Sequence, residues 1–165
     1  MRYDRIDSKL FIENRKRLAT HLPAGAMAIF NANDIMPTNA DGTLPFVQNR
    51  DLFYLSGVDQ EESILVVFPD AFNPNHKEIL FLVETNDQIA RWEGEKLSKK
   101  QATEVSGVQT IYWLSEFDKV LREVICQAKS VYLNSNEHLR AASPVETRDD
   151  RFRKMLMEKY PLQEY

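Results

Sequence analysis

The chain has 165 residues, with 21 basic against 25 acidic side chains and a formal charge of −4. That length holds one domain comfortably, and 43% apolar with 28% charged residues is the balance of a chain that buries a core, not of a disordered one. The acidic excess excludes a nucleic-acid binder that works by neutralising phosphates, and the single Cys126 excludes an internal disulfide. The start, MRYDRIDSKLF, lacks the apolar segment of a signal peptide, and no run approaches a membrane span. The expected compartment is the cytoplasm, with neither nucleic acid nor membrane as partner.

Residues 8–22 read as an opening helix, with Ser8 as its cap, Phe11, Leu18 and Leu22 on one face, and Pro23-Ala24-Gly25 as its stop. Ala26–Phe30 reads as a buried strand. Residues 31–50, with two Pro, an Asp-Gly and several Asn, read as a long loop, and long loops in small domains often carry function. Ser63–Phe68 and Ile79–Val83 are unbroken apolar runs, the pattern of strands covered on both faces. The turn chemistry of Pro69, Asn73, Pro74 and Asn75 between them favours an antiparallel pair.

Farther on, Ser98 with Gln101 forms a capping-box pattern, and Gly107 stands where a glycine ends a short helix. Val108–Tyr112 is the fourth strand. Ser115 with Asp118 then suggests a second box, opening a helix whose apolar stripe runs from Leu114 to Ala128. Val131–Leu133 is the fifth strand, and Phe152, Met155 and Leu156 mark a last helix ending before Pro161. Five strands interleaved with helices give an α/β fold with one central mixed sheet flanked by helices.

The catalytic inventory is thin. His21, His76 and His138 are far apart and read as solvated surface histidines, while Cys126 reads as a small core residue of its helix. Asp149 and Asp150, just before a helix, read as partners of its dipole and not as metal ligands. There is no G-x-S-x-G, P-loop or G-x-G-x-x-G pattern.

Two stretches stand out. In residues 45–57, PFVQNRDLFYLSG, the apolar Phe46, Leu52, Phe53, Tyr54 and Leu55 surround the polar Gln48, Asn49, Arg50 and Asp51. The stretch either lines a groove, with Arg50 as a ligand for an anion or a peptide terminus, or is a helical turn burying its aromatics while Arg50 and Asp51 stay solvated. The second is Trp92, set among Asp87, Arg91, Glu93, Glu95 and Lys96 and followed by Gly94. It is either an exposed interface anchor or a residue folded onto the core edge.

Together these stretches carry a resemblance. P-F-x-Q-N-x-D-x-F-Y-L-S-G, a buried strand six residues on, W-E-G about three dozen residues after that glycine, and the opening F-I-E-N-R-K-R-L are similar to the amino-terminal domain of aminopeptidase P. That family comprises Xaa-Pro aminopeptidases of the creatinase/prolidase, or pita-bread, superfamily. The likeness spans residues 1–165. One departure is Val47, where many members have Arg, so a role for that Arg does not transfer.

The resemblance implies an α/β fold with a ribonuclease-H-like motif, and a catalytic pita-bread domain that is absent from this chain. There, two manganese ions held by two Asp, one His and two Glu activate the hydroxide that attacks the bond before proline. The chain itself then has no catalytic or metal-binding residues, no cofactor of its own, and no activity alone. Its partners are its own C-terminal catalytic domain, a peptide substrate and further copies in a homo-oligomer. Arg50, Asp51, Phe53, Tyr54 and Trp92 are the candidates for shaping the substrate site or an interface, Trp92 by presenting an aromatic toward a peptide. The alternative is a non-catalytic module of the same fold that binds peptides or proteins, as in histone-chaperone relatives.

Overall fold

Strand residues alternate between two faces of a sheet, so an unbroken apolar run must be covered twice. Both central runs do this. The computed structural model describes residues 6–86, 96–136, 138, 140 and 143–165. Within it, β2 (Ile64–Val67) turns Ile64 and Val66 into one core and Leu65 and Val67 into another. β3 (Glu78–Leu82) divides Ile79 and Phe81 from Leu80 and Leu82 in the same way. With β1 (Ala26–Asn31), β4 (Thr110–Trp113) and β5 (Ser130–Leu133) they form one mixed sheet in the order β4-β3-β2-β1-β5. β2 is antiparallel to both β1 and β3, whereas β5 runs parallel to β1, and β4 parallel to β3.

Helices cover both faces. α1 (Ser8–His21), α2 (Arg50–Ser56) and α3 (Lys99–Ser106) lie on the side of Leu65 and Leu80, where Leu52, Leu55, Ala102 and Val105 pack. α4 (Phe117–Ile125) and α5 (Arg148–Lys159) cover the other side with Phe117, Leu121, Ile125, Phe152 and Leu156. The fold is thus the predicted α/β sandwich with a central mixed sheet.

Local details correct several expectations. Asp7, not Ser8, caps α1, its carboxylate accepting from the Lys9 N–H at 2.9 Å. β4 starts at Thr110, because Val108, just past the Gly107 cap of α3, turns its N–H back to Ser106 Oγ at 3.1 Å. The box expected from Ser115 and Asp118 is replaced by a 3₁₀ turn over Leu114–Glu116, whose Glu116 carboxylate takes the Trp113 N–H at 3.0 Å. Cys126 is exposed at the end of α4, since the helix stops at Ile125 and turns its apolar stripe away from that position. His76 is buried, 3.4 Å from the Tyr112 hydroxyl, because a 3₁₀ turn at Pro74–His76 folds it onto the sheet.

The box at Ser98 and Gln101 forms as expected. Thr147 and Asp150 make another at the start of α5. Residues 36–44 form a small turn of their own, with Leu44 N–H donating to Met36 O at 2.8 Å and Thr38 N–H to Gly42 O at 2.9 Å.

Candidate functional site

The segment 45–57 is built on two side-chain amides. Gln48 is buried, and its Nε2 donates to Val58 O at 3.0 Å and Gln60 O at 2.8 Å, while its Oε1 accepts from Asn49 N–H at 2.8 Å. It thereby satisfies the Val58 carbonyl and the Asn49 N–H and shares the Gln60 carbonyl with the Ser63 hydroxyl, which donates to it at 2.7 Å. Asn49 caps α2, its Oδ1 accepting from the N–H groups of Asp51 at 3.0 Å and Leu52 at 3.3 Å. The helix is only seven residues long and ends at Gly57, whose φ of 68° is left-handed. A Cβ on Gly57 would lie 2.2 Å from the Phe11 ring, so α1 presses directly onto this helix end.

Arg15 ties the helices together. Its fully buried guanidinium donates through Nη1 to Leu55 O at 2.7 Å and Ser106 O at 2.9 Å, closing the last turns of α2 and α3 at once. Its Nε forms an ion pair with Glu78 at 2.9 Å. Burial pulls the Arg15 pKa below its ordinary value, and Glu78 opposes that shift. Both helices end in the same Ser-Gly-Val pattern. Ser56 and Ser106 each donate to the carbonyl four residues back at 2.7 Å and accept the N–H two residues on at 3.1 Å.

On this frame the predicted residues divide. Leu52 and Leu55 are buried on the sheet, as a packed helical turn requires. Phe53 is half-buried and meets Phe11 edge-on at 6.1 Å. Tyr54, Arg50 and Asp51 are exposed. Phe46, Val47, Arg50, Phe53 and Tyr54 join Leu10 and Phe11 of α1 in an apolar groove of about 490 Å³. The stretch is a helical turn that buries its leucines and leaves Arg50 and Asp51 exposed, while its aromatics stay at the groove, Phe53 half-buried and Tyr54 exposed. Trp92 lies outside the described residues.

Arg50 also reaches a polar crevice of about 930 Å³ where β1 and β5 end, lined by Asn33, Asn49, Asn134, Asp149 and Arg153 among others. The Asp149 carboxylate accepts from the buried Asn31 Nδ2 at 3.0 Å. Burial raises its pKa, against the lowering effect of that hydrogen bond. Arg148 beside it is shifted down by burial, with Glu62 and Asp34 opposing, and its N–H donates to Asp34 Oδ2 at 2.7 Å.

Sequence reasoning missed Arg15 and the part of α1 that walls the groove. The signal for both lay in F-I-E-N-R, where Asn14 also donates to Tyr54 O at 2.8 Å. Among the described residues, no group of three or more His, Cys, Asp or Glu could hold a metal ion, so the residues present do not fit a manganese centre. Nor is any helix among them long and apolar enough to cross a membrane. The chemistry available here is apolar contact in the groove, and in the crevice the guanidinium groups of Arg50 and Arg153, carboxylates such as Asp149, and amide hydrogen bonding: the means to hold a peptide or a protein surface.

The family model for the aminopeptidase P N-terminal domain matches residues 11–132. The chain is 26% identical to the Xaa-Pro aminopeptidase of Escherichia coli over 149 residues, 90% of this chain and 34% of that protein. It is 27% identical to intermediate cleaving peptidase 55 of Saccharomyces cerevisiae over 125 residues, 75% of this chain and 24% of that one. Among solved structures, a Bacillus anthracis protein assigned to aminopeptidase P superposes with a TM-score of 0.83 at 27% identity, over 96% of this chain and 38% of that one. The chain belongs to the family of aminopeptidase P N-terminal domains. It spans about a third of the length of the Escherichia coli relative.

Proposed function

We propose that this member of the aminopeptidase P N-terminal domain family serves as the non-catalytic domain of a manganese-dependent Xaa-Pro aminopeptidase, which removes the first residue of peptides with proline second. One observation supports this above the rest. The likeness covers nearly the whole chain, yet leaves about two thirds of the Escherichia coli relative outside it. In that role the chain works with its own C-terminal catalytic domain and a peptide substrate, in a cytoplasmic homo-oligomer. Arg50, Phe53 and Tyr54 on the groove, Asp51 beside them and Trp92 are assigned to shaping the substrate site or the oligomer interface.

The test is enzymatic. The 165-residue chain, incubated with a Xaa-Pro peptide and manganese, is expected to release no amino acid, whereas the parent protein containing it hydrolyses the same peptide. Turnover that follows the purified chain and disappears on substituting its His or Asp residues refutes the reading. A parent whose downstream region lacks the metal ligands replaces it with the peptide- or protein-binding module.

A further inference from the structure

The groove beside α1 is apolar along its walls and polar at two points. Leu10 and Phe11 from α1 face Phe46, Val47, Phe53 and Tyr54 across it, and its volume of about 490 Å³ lies within the range of small-ligand pockets, roughly 300–1,000 Å³. Leu10, Val47 and Tyr54 stay exposed there, and exposed apolar side chains gathered around concave ground mark a surface that binds something. The two polar points are unspent. The Arg50 guanidinium, exposed at the start of α2, makes no ion pair or hydrogen bond among the described residues. Asn14 on α1 is 3% exposed; its Nδ2 donates to Tyr54 O at 2.8 Å, and its Oδ1 accepts no hydrogen bond among those residues. Asp59, the one carboxylate among the described residues lining the groove, already has a partner.

We propose that this groove binds the carboxyl-terminal end of a peptide whose last residue is apolar. The side chain of that residue packs between α1 and α2, the terminal carboxylate meets the Arg50 guanidinium, and a peptide N–H donates to Asn14 Oδ1. The choice of a peptide rests on the reading of the chain as part of a peptidase. Charge complementarity selects the end of the peptide: a guanidinium binds a carboxylate through two parallel hydrogen bonds, and a free carboxylate is what every unmodified peptide carries at its last residue. The Asn14 acceptor selects a peptide over a simple amphiphilic acid, which has no N–H to give. The site is also built in advance. Gln48 and Asn49 fix the backbone that leads into Arg50, and Phe11 meets Phe53 edge-on at 6.1 Å, so a ligand finds its walls already ordered. Such a groove reads the end of a peptide opposite to the one an aminopeptidase attacks.

The test is an NMR titration of the isotope-labelled 165-residue chain with acetyl-alanyl-leucine, with its carboxamide and with decanoate. The dipeptide acid is expected to shift the resonances of Leu10 and Val47 and to leave those of Met157, exposed on α5 over the other face, unmoved. Losing a hydrogen bond between charged groups weakens binding about tenfold or more. The carboxamide on the native chain, and the acid on Arg50→Gln, should each bind more weakly by that factor, and on Arg50→Gln acid and carboxamide should bind alike. Arg50 is exposed, so the variant keeps its fold, and an unchanged spectrum away from the groove checks this. Acid and carboxamide binding equally to the native chain, decanoate binding as tightly as the acid, or no shift at Leu10 and Val47 overturns the proposal, while an active parent leaves the peptidase reading standing. Shifts at the groove that grow with chain concentration in the absence of peptide identify a second copy as the occupant and overturn it too. A chain that discriminates acid from carboxamide beside an inactive parent upholds the groove and refutes the peptidase reading alone.

Discussion

Gly57 and Gly107 end α2 and α3 in the same conformation, with φ of 68° and 75°, yet α1 presses on them with different side chains. Alanine at either position meets the same backbone cost, about 1–2 kcal/mol for a left-handed residue carrying a Cβ. The contacts then separate them. A Cβ at Gly57 falls 2.2 Å from Phe11 Cε2 and 2.5 Å from Cζ, and Phe11 is a rigid ring, 3% exposed, held by Phe53. A Cβ at Gly107 falls 2.5 Å from Ile12 Cγ1 and 2.6 Å from Cδ1, but Ile12 is only half-buried and can turn away. Overpacking a rigid site adds roughly 1–3 kcal/mol. Gly57→Ala should therefore cost about 3 kcal/mol, a fall in melting temperature of roughly 6–12 °C for a chain of this size, and Gly107→Ala only about half as much. Urea titration of both variants, repeated in a Phe11→Leu background, isolates the ring contact as a coupling energy. Equal losses at the two glycines, or no relief from Phe11→Leu, would refute the claim that α1 is fitted specifically against the end of α2.

Other outcomes follow from the same frame. Arg15→Met leaves the Leu55 and Ser106 carbonyls without their buried donor, and at about 1–3 kcal/mol for each orphaned group the chain should lose roughly 2–5 kcal/mol in chemical denaturation. Asp149 has its pKa raised by burial, so its charge weighs against folding above the folded-state pKa and the penalty fades as pH falls into the ordinary carboxylate range near 4. Asp149→Asn should therefore stabilise the chain at pH 7, with the gain shrinking on acidification; a gain independent of pH contradicts the assignment. On the role proposed for Trp92, Trp92→Ala in the parent enzyme should lower kcat/KM on a pentapeptide by about 5- to 30-fold and on a dipeptide far less, whereas a core-edge residue would lower the melting temperature and affect both substrates alike.

What was legible in the sequence follows the range of the interactions. SILVVF and ILFLV announced themselves as strands because a run covered on both faces needs no knowledge of its partners. Ser98, Gln101 and Gly107 fixed α3 because capping is settled within one turn. Arg15 was illegible: on an amphipathic helix an arginine looks solvated, and its partners at Leu55, Glu78 and Ser106 lie 40 or more residues away. The groove was half legible, since residues 46–54 were visible as an aromatic turn while its second wall comes from Leu10 and Phe11. The box expected at Ser115 failed for a local reason. Glu116, held by Lys99 at 3.6 Å, takes the Trp113 N–H and so tightens the chain into a 3₁₀ turn before α4 can begin.

Positions 47 and 48 place the surface of the groove and the frame that holds it side by side. Val47 is 64% exposed on the groove, and Gln48 is 7% exposed beneath it, bonded to Val58, Gln60 and Asn49. A surface fixed from below in this way is pre-organised, so covering it costs little ordering of the backbone. The two residues should then fail differently. Gln48→Ala strands the Val58 carbonyl and the Asn49 N–H and leaves the Gln60 carbonyl with the Ser63 hydroxyl alone, a loss of roughly 2–4 kcal/mol that appears in the isolated chain and the parent alike. Val47→Glu touches none of those bonds, and as a surface substitution it should shift the stability of the isolated chain by no more than about 0.5 kcal/mol. Thermal melts of both variants separate the two effects. If Val47→Glu destabilises the isolated chain as much as Gln48→Ala does, the division between a fixed frame and an exposed groove surface is wrong.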